Sequence, residues 1–383
     1  MNKIEKLIKE LCPNGVEWKK LGEIGKNLDS KRKPITSSKR TIGKYPYYGA
    51  SGIVDYVDNF IFDGDYLLIS EDGANLVARN TPIAFSISGK TWVNNHAHVL
   101  LIENYSCRRF IEIYLNSISL EPYISGGTQP KLNQENLNKI PIPLPPLPIQ
   151  TEIVRILDKF VEQQEQLERL IELRKKQYEY YREEMLKPKE GEKWERKTLG
   201  EIGTFVRGNG LQKTDFREEG FPCIHYGQVH TYYGFSTTKT KSFCCKELYK
   251  KLKKASYGDL IIATTSEDVE ACCKATVWLG EGEVGISGDS YLFSHNQNPE
   301  FIAHLFKTKQ FAEQKRMVAS GAKVVRVSGD SMSKFEFQMP SLNKQKQIAE
   351  GLTNFETSIT TLTTALELSK KRYEYYRDKM MRF

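Results

Sequence analysis

Hydrophobic positions recur at alternating spacings of four and three residues along two long segments of this chain. In the first segment these positions are Ile153, Leu157, Phe160, Gln164, Leu167, Ile171, Arg174, Tyr178, Tyr181 and Met185. In the second they are Ile348, Leu352, Phe355, Ile359, Leu362, Leu366, Ser369, Tyr373, Tyr376 and Met380. This spacing is typical of the a and d positions of a coiled coil. It predicts two helices of about 35 residues, each roughly 50 Å long.

The two segments are copies of one another. They contain KKQYEYYREEML at 175–186 and KKRYEYYRDKMM at 370–381, and the spacing does not shift between them. Each helix has a narrow apolar seam that needs a partner, and the other copy is the obvious one. Alternatively, each helix packs its seam onto its own neighbouring domain. If a twofold axis relates the copies, the helices run antiparallel and the flanking domains lie at opposite ends of a rod.

The duplication includes the flanking domains. LGEIG at 21–25 returns at 199–203, and GDYLLIS at 64–70 corresponds to GDLIIAT at 258–264. The offset between copies increases after Pro222, so the second copy has an insertion of about sixteen residues before Gly258. Pro188 ends the first helix. We predict a first domain at 1–147, a long helix at 148–187, a second domain at 188–340 and a second long helix at 341–383.

Within each domain the pattern predicts a twisted sheet with irregular loops. Short β-rich runs occur at 66–70, 98–102, 260–264 and 291–293, and helical patterns follow at 108–117 and 299–315. Five prolines between 141 and 148 favour a stiff extended segment that leads into the first long helix. Such a run is also typical of ligands for proline-binding domains.

Composition and charge indicate an anionic partner. The 383 residues are 39% hydrophobic and 27% charged, which suits two or three globular domains. The net charge of +8 favours nucleic acid or a membrane surface. No apolar run approaches the ~20 residues of a membrane span, and the N-terminus lacks the core of a signal peptide. We therefore expect a cytoplasmic protein whose seven cysteines are free thiols.

Basic residues cluster once in each domain, at 31–44 and 239–254. Two separate basic surfaces without a basic amphipathic helix favour nucleic acid over membrane, although a solvated charge run is the simpler alternative. The predicted DNA-binding cations and adjoining tyrosines are Lys31, Arg32, Lys33, Lys39, Arg40, Lys44, Tyr47, Tyr48, Lys131, Arg207, Lys239, Lys241, Lys323 and Arg326.

Polar side chains suited to base edges also gather in loops. Asn and Gln can form two hydrogen bonds with adenine, and Lys or Arg can contact guanine. The same residue types often serve only as hydrogen-bonding groups within loops. The predicted base-reading residues are Asn94, Asn95, His96, Thr128, Gln129, His225, Gln228 and His230.

Motifs for catalysis and for metal binding are missing from the sequence. SISGKT at 86–91 ends like a phosphate-binding loop, but Ala84 stands where the first glycine belongs. No Asn-Pro-Pro-aromatic or Asp-Pro-Pro-aromatic methyltransferase motif occurs, nor a Pro-Asp followed by Glu-x-Lys. The pairs Cys244-Cys245 and Cys272-Cys273 lack the two-to-four-residue spacing of zinc ligands. We expect no catalytic site, cofactor or metal in this chain.

Several of these motifs together resemble the specificity subunits of type I restriction-modification systems. They are IPIPLPPLPIQ at 140–150, GDYLLISEDGANLVARN at 64–80 and WVNNHAHVL at 92–100, combined with the duplication. The resemblance covers the whole chain. The second copy departs from the pattern, with FEFQMPSLNKQ at 335–345 and SEDVEACCKA at 266–275.

The resemblance implies an α+β fold: two tandem, pseudo-twofold-related α/β target-recognition domains separated by two long helices that form an antiparallel coiled coil. Each domain would read one half of a bipartite, asymmetric double-stranded DNA target, and the helices would set the spacer and dock two modification subunits. Those subunits would methylate adenine with S-adenosylmethionine, and restriction subunits would use ATP and Mg²⁺. A DNA-bridging coiled-coil scaffold without enzyme partners and a self-contained enzyme are the alternatives.

Overall fold

The computed structural model describes residues 3–126, 129–321 and 324–383 and divides into two compact units. The first unit comprises residues 1–167 with 365–383, and the second comprises residues 168–364. The first long helix spans Leu147–Met185 and the second spans Leu342–Met380, 39 residues each. Each unit therefore combines one α/β domain with part of both long helices.

The first unit contains two four-stranded sheets. The main sheet is antiparallel, with the strand order Lys26–Asn27, Ala97–Leu101, Tyr66–Ser70 and Ala84–Ile87. The second sheet has the order Gly52–Val57, Ile42–Gly49, Lys90–Val93 and Phe62–Asp63, and its central pair is parallel. A further strand pair joins Trp18–Lys20 to Pro141–Pro143, so the proline run is extended as predicted. The helices are Lys3–Leu11, Leu21–Ile24, Asn75–Ala78, Tyr105–Ser117 and Gln134–Lys139.

Successive side chains of the main strands point to opposite faces of the main sheet, and both faces are buried. Leu67 and Ile69 pack on one face with Phe110 of helix Tyr105–Ser117. Leu68 lies on the opposite face in a cluster that contains Val93 of the second sheet. The main sheet is thus covered by a helix on one side and by the second sheet on the other, which explains its nearly continuous hydrophobic sequence.

The second unit repeats this topology. Its main sheet has the order Gly203–Arg207, Ser290–His295, Leu260–Ala263, Lys274–Trp278 and Ser236–Thr237, and its second sheet has the order Ser242–Cys244, Phe221–Ile224, Val284–Ile286 and Lys254–Ala255. The extra strand, Ser236–Thr237, belongs to the predicted insertion. Strand pairs also join Glu195–Thr198 to Glu336–Met339 and Thr265–Ser266 to Val325–Arg326. The helices are Leu199–Ile202, Tyr226–Thr231, Lys246–Lys251, Pro299–Leu305, Lys309–Val318 and Gly329–Met332.

One predicted helix is divided in the structure. The pattern at 299–315 predicts a single helix, but Pro299–Leu305 ends before a new helix begins at Lys309. Thr308 causes the break, because its Oγ1 accepts a hydrogen bond from the Phe311 N–H and donates one to the Leu305 carbonyl. A threonine that caps a helix in this way favours a new start over continuation.

The two long helices begin with the same hydrogen bond. Gln150 Nε2 donates to the Pro145 carbonyl at 2.7 Å, and Gln345 Nε2 donates to the Pro340 carbonyl at 2.9 Å. Both glutamines are buried. Each amide thus ties the first turn of a long helix to the extended segment that precedes it.

Within each unit the parts of the two long helices are antiparallel. In the second unit the Tyr181 ring stacks on Phe355 at 5.4 Å, and a Cβ built on Gly351 would lie 3.1 Å from Met185 Cε. Residue numbers therefore increase along one helix in the direction in which they decrease along the other. In the first unit Phe160 stacks on Tyr376 at 5.7 Å. The predicted fold class is confirmed.

The seam residues divide between two kinds of contact. Leu157 and Leu352 are fully buried in the hydrophobic cores of the first and second units. Tyr178 joins the core of the second unit, and Tyr373 packs against that of the first. Packing onto a domain and pairing between helices thus both occur. Toward each end of a long helix, the seam residues lie against the core of a domain.

Candidate nucleic-acid interface

Three loops of the first unit meet beyond the strand Tyr66–Ser70. The Glu71 N–H donates to the His96 carbonyl at 2.9 Å, and the Leu132 N–H donates to the Glu71 carbonyl at 2.7 Å. The Gly73 N–H donates to the Pro130 carbonyl at 3.2 Å. These backbone bonds bring the predicted residues Asn95 and His96 close to Lys131 on one loop surface.

A network of charged side chains lies beneath these loops. Arg32 Nη1 donates to Glu71 Oε2 at 2.5 Å and to the Ala97 carbonyl at 2.8 Å. Lys131 Nζ lies 3.2 Å from Glu71 Oε1, and Arg32 Nη2 lies 3.3 Å from Asp29 Oδ2. His98 Nδ1 lies 2.5 Å from the same Asp29 oxygen. The network fastens the basic loop to the main sheet.

Both ring nitrogens of His98 face oxygen atoms in this network. Its Nε2 lies 2.7 Å from the Leu132 carbonyl oxygen, and its Nδ1 lies 2.5 Å from Asp29 Oδ2. Burial alone would raise the pKa of Asp29, but hydrogen bonds from His98, Val99 and Asn27, with the charge of His98, lower it overall. Asp29 therefore stays ionised.

Asp29, Glu71 and His98 also have the composition of a cation site, since one ligand atom from each lies within 4.8 Å of the others. Their oxygens are already engaged by the Arg32 guanidinium and the Lys131 ammonium. A cation there would have to displace these positive charges. We therefore assign the trio to positioning of the loops.

The predicted residues of the first unit fall into two groups. Tyr47 is 1% exposed, and its hydroxyl accepts a hydrogen bond from the Ile35 N–H at 2.9 Å. Arg40 lies 4.4 Å from the centre of that ring and 3.2 Å from Asp55. Arg32, Tyr48 and Asn94 are likewise buried or half-buried. The exposed group is Lys31, Lys33, Lys39, Lys44, Asn95, His96, Gln129 and Lys131, and Thr128 lies outside the described residues.

In the second unit the exposed arginines line clefts. Arg207 and Arg326 line one cleft of about 190 Å³ together with Thr265 and Asp289. Arg207 also borders a larger cleft of about 530 Å³, together with Lys213 and His225. The predicted residues Arg207, His225 and Arg326, which are distant in sequence, thus line two clefts that share Arg207. Lys239 and Lys241 are exposed on the insertion, and Lys323 lies outside the described residues.

His225 and Gln228 form the start of helix Tyr226–Thr231. His225 Nδ1 accepts a hydrogen bond from the Gly227 N–H, and Gln228 Oε1 accepts one from the His225 N–H. Gln228 Nε2 donates to Ser242 Oγ at 2.6 Å. Burial, assisted by the charge of Lys213, lowers the pKa of His225, which keeps the imidazole neutral. His230 Nε2 lies 3.0 Å from the Thr265 carbonyl.

One basic residue occupies the same local structure in both units. The backbones of Ser125 and Lys131 exchange two hydrogen bonds, at 2.8 and 2.7 Å. The backbones of Ser320 and Arg326 do the same, at 3.2 and 2.9 Å. Lys131 and Arg326 are therefore equivalent cations at the ends of equivalent loops.

Sequence reasoning missed the residues that hold these cations. Asp29, Glu71 and His98 organise the first unit, and Lys213 and Asp289 contribute to the clefts of the second. Acidic side chains repel phosphate, so a pattern typical of DNA binding does not include them. A search for acidic residues near each basic loop would have found Asp29, which lies two residues before Lys31.

The long helices also carry a repeated exposed apolar stripe. Leu173 and Tyr180 are 52% and 63% exposed, and their repeat counterparts Leu368 and Tyr375 are 48% and 62% exposed. Each pair is one heptad apart, away from the buried seam positions. These large apolar side chains are thus exposed to nearly the same extent in both copies.

No helix within residues 3–126, 129–321 or 324–383 is both long and apolar enough to cross a lipid bilayer.

Comparisons with known proteins give consistent results. The profile of the family described as "Type I restriction modification DNA specificity domain" matches residues 13–175 and 191–369. A putative type I restriction enzyme specificity subunit from Haemophilus influenzae is 32% identical, over 96% of each chain. The EcoR124I/EcoR124II specificity subunit of Escherichia coli is 28% identical over 73% of this chain and 72% of its own. The crystal structure of a type I restriction-modification S subunit from M. genitalium has a similar fold, with a TM-score of 0.67, 16% identity and 97% coverage of both chains.

Proposed function

Because this chain belongs to the family of type I restriction-modification DNA specificity domains, we propose that it reads a bipartite, asymmetric DNA target for a restriction-modification complex. Residues 1–147 form one target-recognition domain and residues 188–340 the other. The long helices, 148–187 and 341–383, set the spacer between the half-sites and dock two modification subunits. The chain itself is non-catalytic, binds no cofactor and acts in the cytoplasm.

The observation that carries the proposal is the equivalence of Lys131 and Arg326. A cation held by the same pair of backbone hydrogen bonds occurs once in each unit. Duplex DNA presents phosphates and guanine edges to such side chains. The surrounding loops differ between the units in sequence and in strand number, so the two half-sites differ.

In the first unit, the residues that would contact DNA differ from those that hold the loops in place. Lys31, Lys33 and Lys131 are exposed and would contact phosphate or base, and Lys131 also pairs with Glu71. Arg32, His98 and Glu71 lie beneath them and keep the loops in place. A preorganised loop binds DNA without the entropic cost of ordering it first.

The exposed stripes favour this function over a DNA-bridging scaffold without enzyme partners. A scaffold needs the two basic domains but no apolar surface outside the seam. Leu173 with Tyr180, and Leu368 with Tyr375, provide two equal surfaces, which suits two copies of one partner. A modification subunit would cover each stripe with an apolar helical face, and restriction subunits would join that assembly.

Co-expression with a type I modification subunit tests the proposal. The expected product is a complex of one chain with two modification subunits that methylates adenine only when S-adenosylmethionine and a two-part target are present. The chain alone should bind DNA and show no methyltransferase, nuclease or ATPase turnover. Turnover by the purified chain that one point mutation abolishes would contradict the proposal.

A further inference from the structure

The adjacent cysteines 272 and 273 lie in the connection between the strands Leu260–Ala263 and Lys274–Trp278 of the second unit. Their sulfur atoms are 3.9 Å apart, and the residues are only 1% and 2% exposed. Cys272 Sγ lies 3.3 Å from the Thr264 carbonyl. Thr264 immediately precedes the short strand that pairs with Arg326. The thiols are therefore next to the backbone that holds the proposed DNA-reading arginine.

A buried lysine accompanies the two thiols. Lys315 is 4% exposed, and its Nζ donates to the carbonyls of Glu270 and Cys272, at 2.9 and 3.0 Å. Among residues that the structure describes, no carboxylate lies within ion-pair distance of this ammonium; Glu270 pairs with Arg316 instead. A buried ammonium without an anion is costly. The ionised Cys272 sulfur can supply that missing negative charge.

We propose that Cys272 and Cys273, together with Lys315, form a site of reversible oxidation by hydroperoxides. The Cys272 thiolate attacks one peroxide oxygen, the O–O bond breaks, and hydroxide leaves to give a sulfenic acid. The Cys273 sulfur then attacks that sulfenic sulfur, a second hydroxide leaves, and the released thiol proton neutralises one hydroxide. Two electrons pass from the sulfurs to the peroxide, and a dithiol reductant restores the thiols.

Local electrostatics favour Cys272 as the attacking sulfur. The hydrogen bond from the Cys273 thiol and the charge of Lys315 lower the pKa of Cys272 despite burial. The hydrogen bond to Cys272, together with burial, raises the pKa of Cys273, which keeps that residue a thiol. One sulfur is thus poised to react first and the other to resolve the sulfenic acid.

The chain contains its own comparison pair. Cys244 and Cys245 are also adjacent, and Cys245 is more exposed than either Cys272 or Cys273. No lysine with a buried ammonium accompanies that pair among the described residues. Exposure alone would make Cys245 react first, whereas the proposed site predicts the opposite order.

Limited hydrogen peroxide added to the reduced full chain tests the site, since this oxidant is nearly as small as water. After blocking with iodoacetamide, trypsin separates the two pairs into peptides 242–246 and 255–274. Peptide 255–274 should lose two hydrogens and escape alkylation before peptide 242–246 changes. Simultaneous or reversed oxidation of the two peptides would overturn the proposal.

Three variants separate the roles of these residues. Cys273→Ser should accumulate a sulfenic acid at Cys272 that a cyclic 1,3-dione traps. Lys315→Met should slow oxidation of Cys272 by roughly tenfold, because it removes the positive charge that favours the thiolate. Lys315→Arg retains the charge, and its Cys272 should be oxidised nearly as fast as in the unaltered chain. This conservative variant still tests the role of the charge if Lys315→Met does not fold. Unchanged rates in a folded Lys315→Met would contradict the role of the lysine.

A consequence for DNA reading rests on the proposed function. Formation of the disulfide draws the Cys272 sulfur toward Cys273 and away from the Thr264 carbonyl. This movement should displace the strand pair of Arg326 and weaken selection of the second half-site by roughly tenfold. The equivalent connection of the first unit, 71–83, contains no cysteine, so selection of the first half-site should not change. Equal weakening at both half-sites would overturn the link to Arg326. Failure of the reduced chain to select any two-part target would instead contradict the proposed function.

Discussion

Phe160 of the first long helix stacks on Tyr376 of the second with their ring centres 5.7 Å apart. The repeat counterparts of these residues, Phe355 and Tyr181, stack at 5.4 Å. The same aromatic pair thus occurs in both units with the roles of the two helices exchanged. Duplication of one sequence has produced a helix pair in which each copy supplies a phenylalanine to one unit and a tyrosine to the other.

The exposed stripes predict how the modification subunits bind. Replacing Tyr180 by Ala should remove one modification subunit, and replacing Tyr375 should remove the other, because each exposed ring is a large apolar anchor. The double variant should bind neither subunit. Mass measurement of the purified complex checks this stoichiometry. Glu179→Ala and Glu374→Ala, which alter exposed neighbours, should leave it unchanged, and full assembly of the double tyrosine variant would contradict the docking surface.

The basic loop should separate contact residues from a supporting residue. Replacing Lys31 and Lys33 by Ala should flatten the log-log salt dependence of DNA binding by about two units, since each exposed lysine neutralises one phosphate. Thermal stability should remain nearly unchanged. Arg32→Ala should instead destabilise the chain by about 3 kcal/mol, because Glu71 and Asp29 lose a buried partner. Salt titrations and urea unfolding distinguish the two effects, and an Arg32→Ala chain of normal stability would contradict the supporting role.

Lys131 and Arg326 should act on different half-sites. Lys131→Ala should relax selection at one half-site and Arg326→Ala at the other, each costing about 1–3 kcal/mol if the side chain contacts a base. Selection of bound duplexes from a random pool measures both halves at once. Lys9→Ala removes an exposed charge from the N-terminal helix and should relax neither half. Both substitutions affecting the same half-site would contradict the equivalence of the two units.

Asp29 should make the first unit sensitive to acid. Its folded pKa lies below the unfolded value near 3.9, so its stabilising contribution is complete above that value and is lost as the pH falls through the folded pKa. Asp29→Asn should be less stable than the unaltered chain at neutral pH, by about 3 kcal/mol. The difference should shrink below about pH 4. Urea unfolding across this range measures it, and a difference that does not vary with pH would mean that Asp29 is not ionised in the folded chain.

Periodicity and duplication made the architecture predictable. A seam of alternating spacings predicted both long helices because only a helix aligns such residues on one face. The strands at 66–70 and 260–264 were predicted because continuous apolar runs suit a sheet covered on both sides. The break at Thr308 was missed because a threonine is common inside helices and at their starts, and only its contacts distinguish the two cases.

The candidate interface was predictable only in part. Exposed lysines such as Lys31 and Lys33 could be found from charge clustering, because their side chains are not needed to hold the fold together. Arg32 has the same charge and lies between them in sequence, yet it is buried against Glu71, which lies 39 residues later. A one-dimensional pattern contains no information about such a partner. The network around His98 depends on the convergence of loops that only the folded sheets bring together.

The length of the long helices tests the account most directly. Inserting one heptad after Leu167 and another after Leu362 preserves the seam and lengthens each helix by about 10 Å, which is close to three base pairs at ~3.4 Å each. The matched control is an insertion in one helix only, which should misalign the seam and destabilise the chain. Selection of targets from random duplexes measures the preferred spacer. If the helices set the spacer, the preferred spacer should become about three base pairs longer, with weaker binding because one half-site rotates around the duplex. An unchanged spacer with full affinity would show that the helices do not set it.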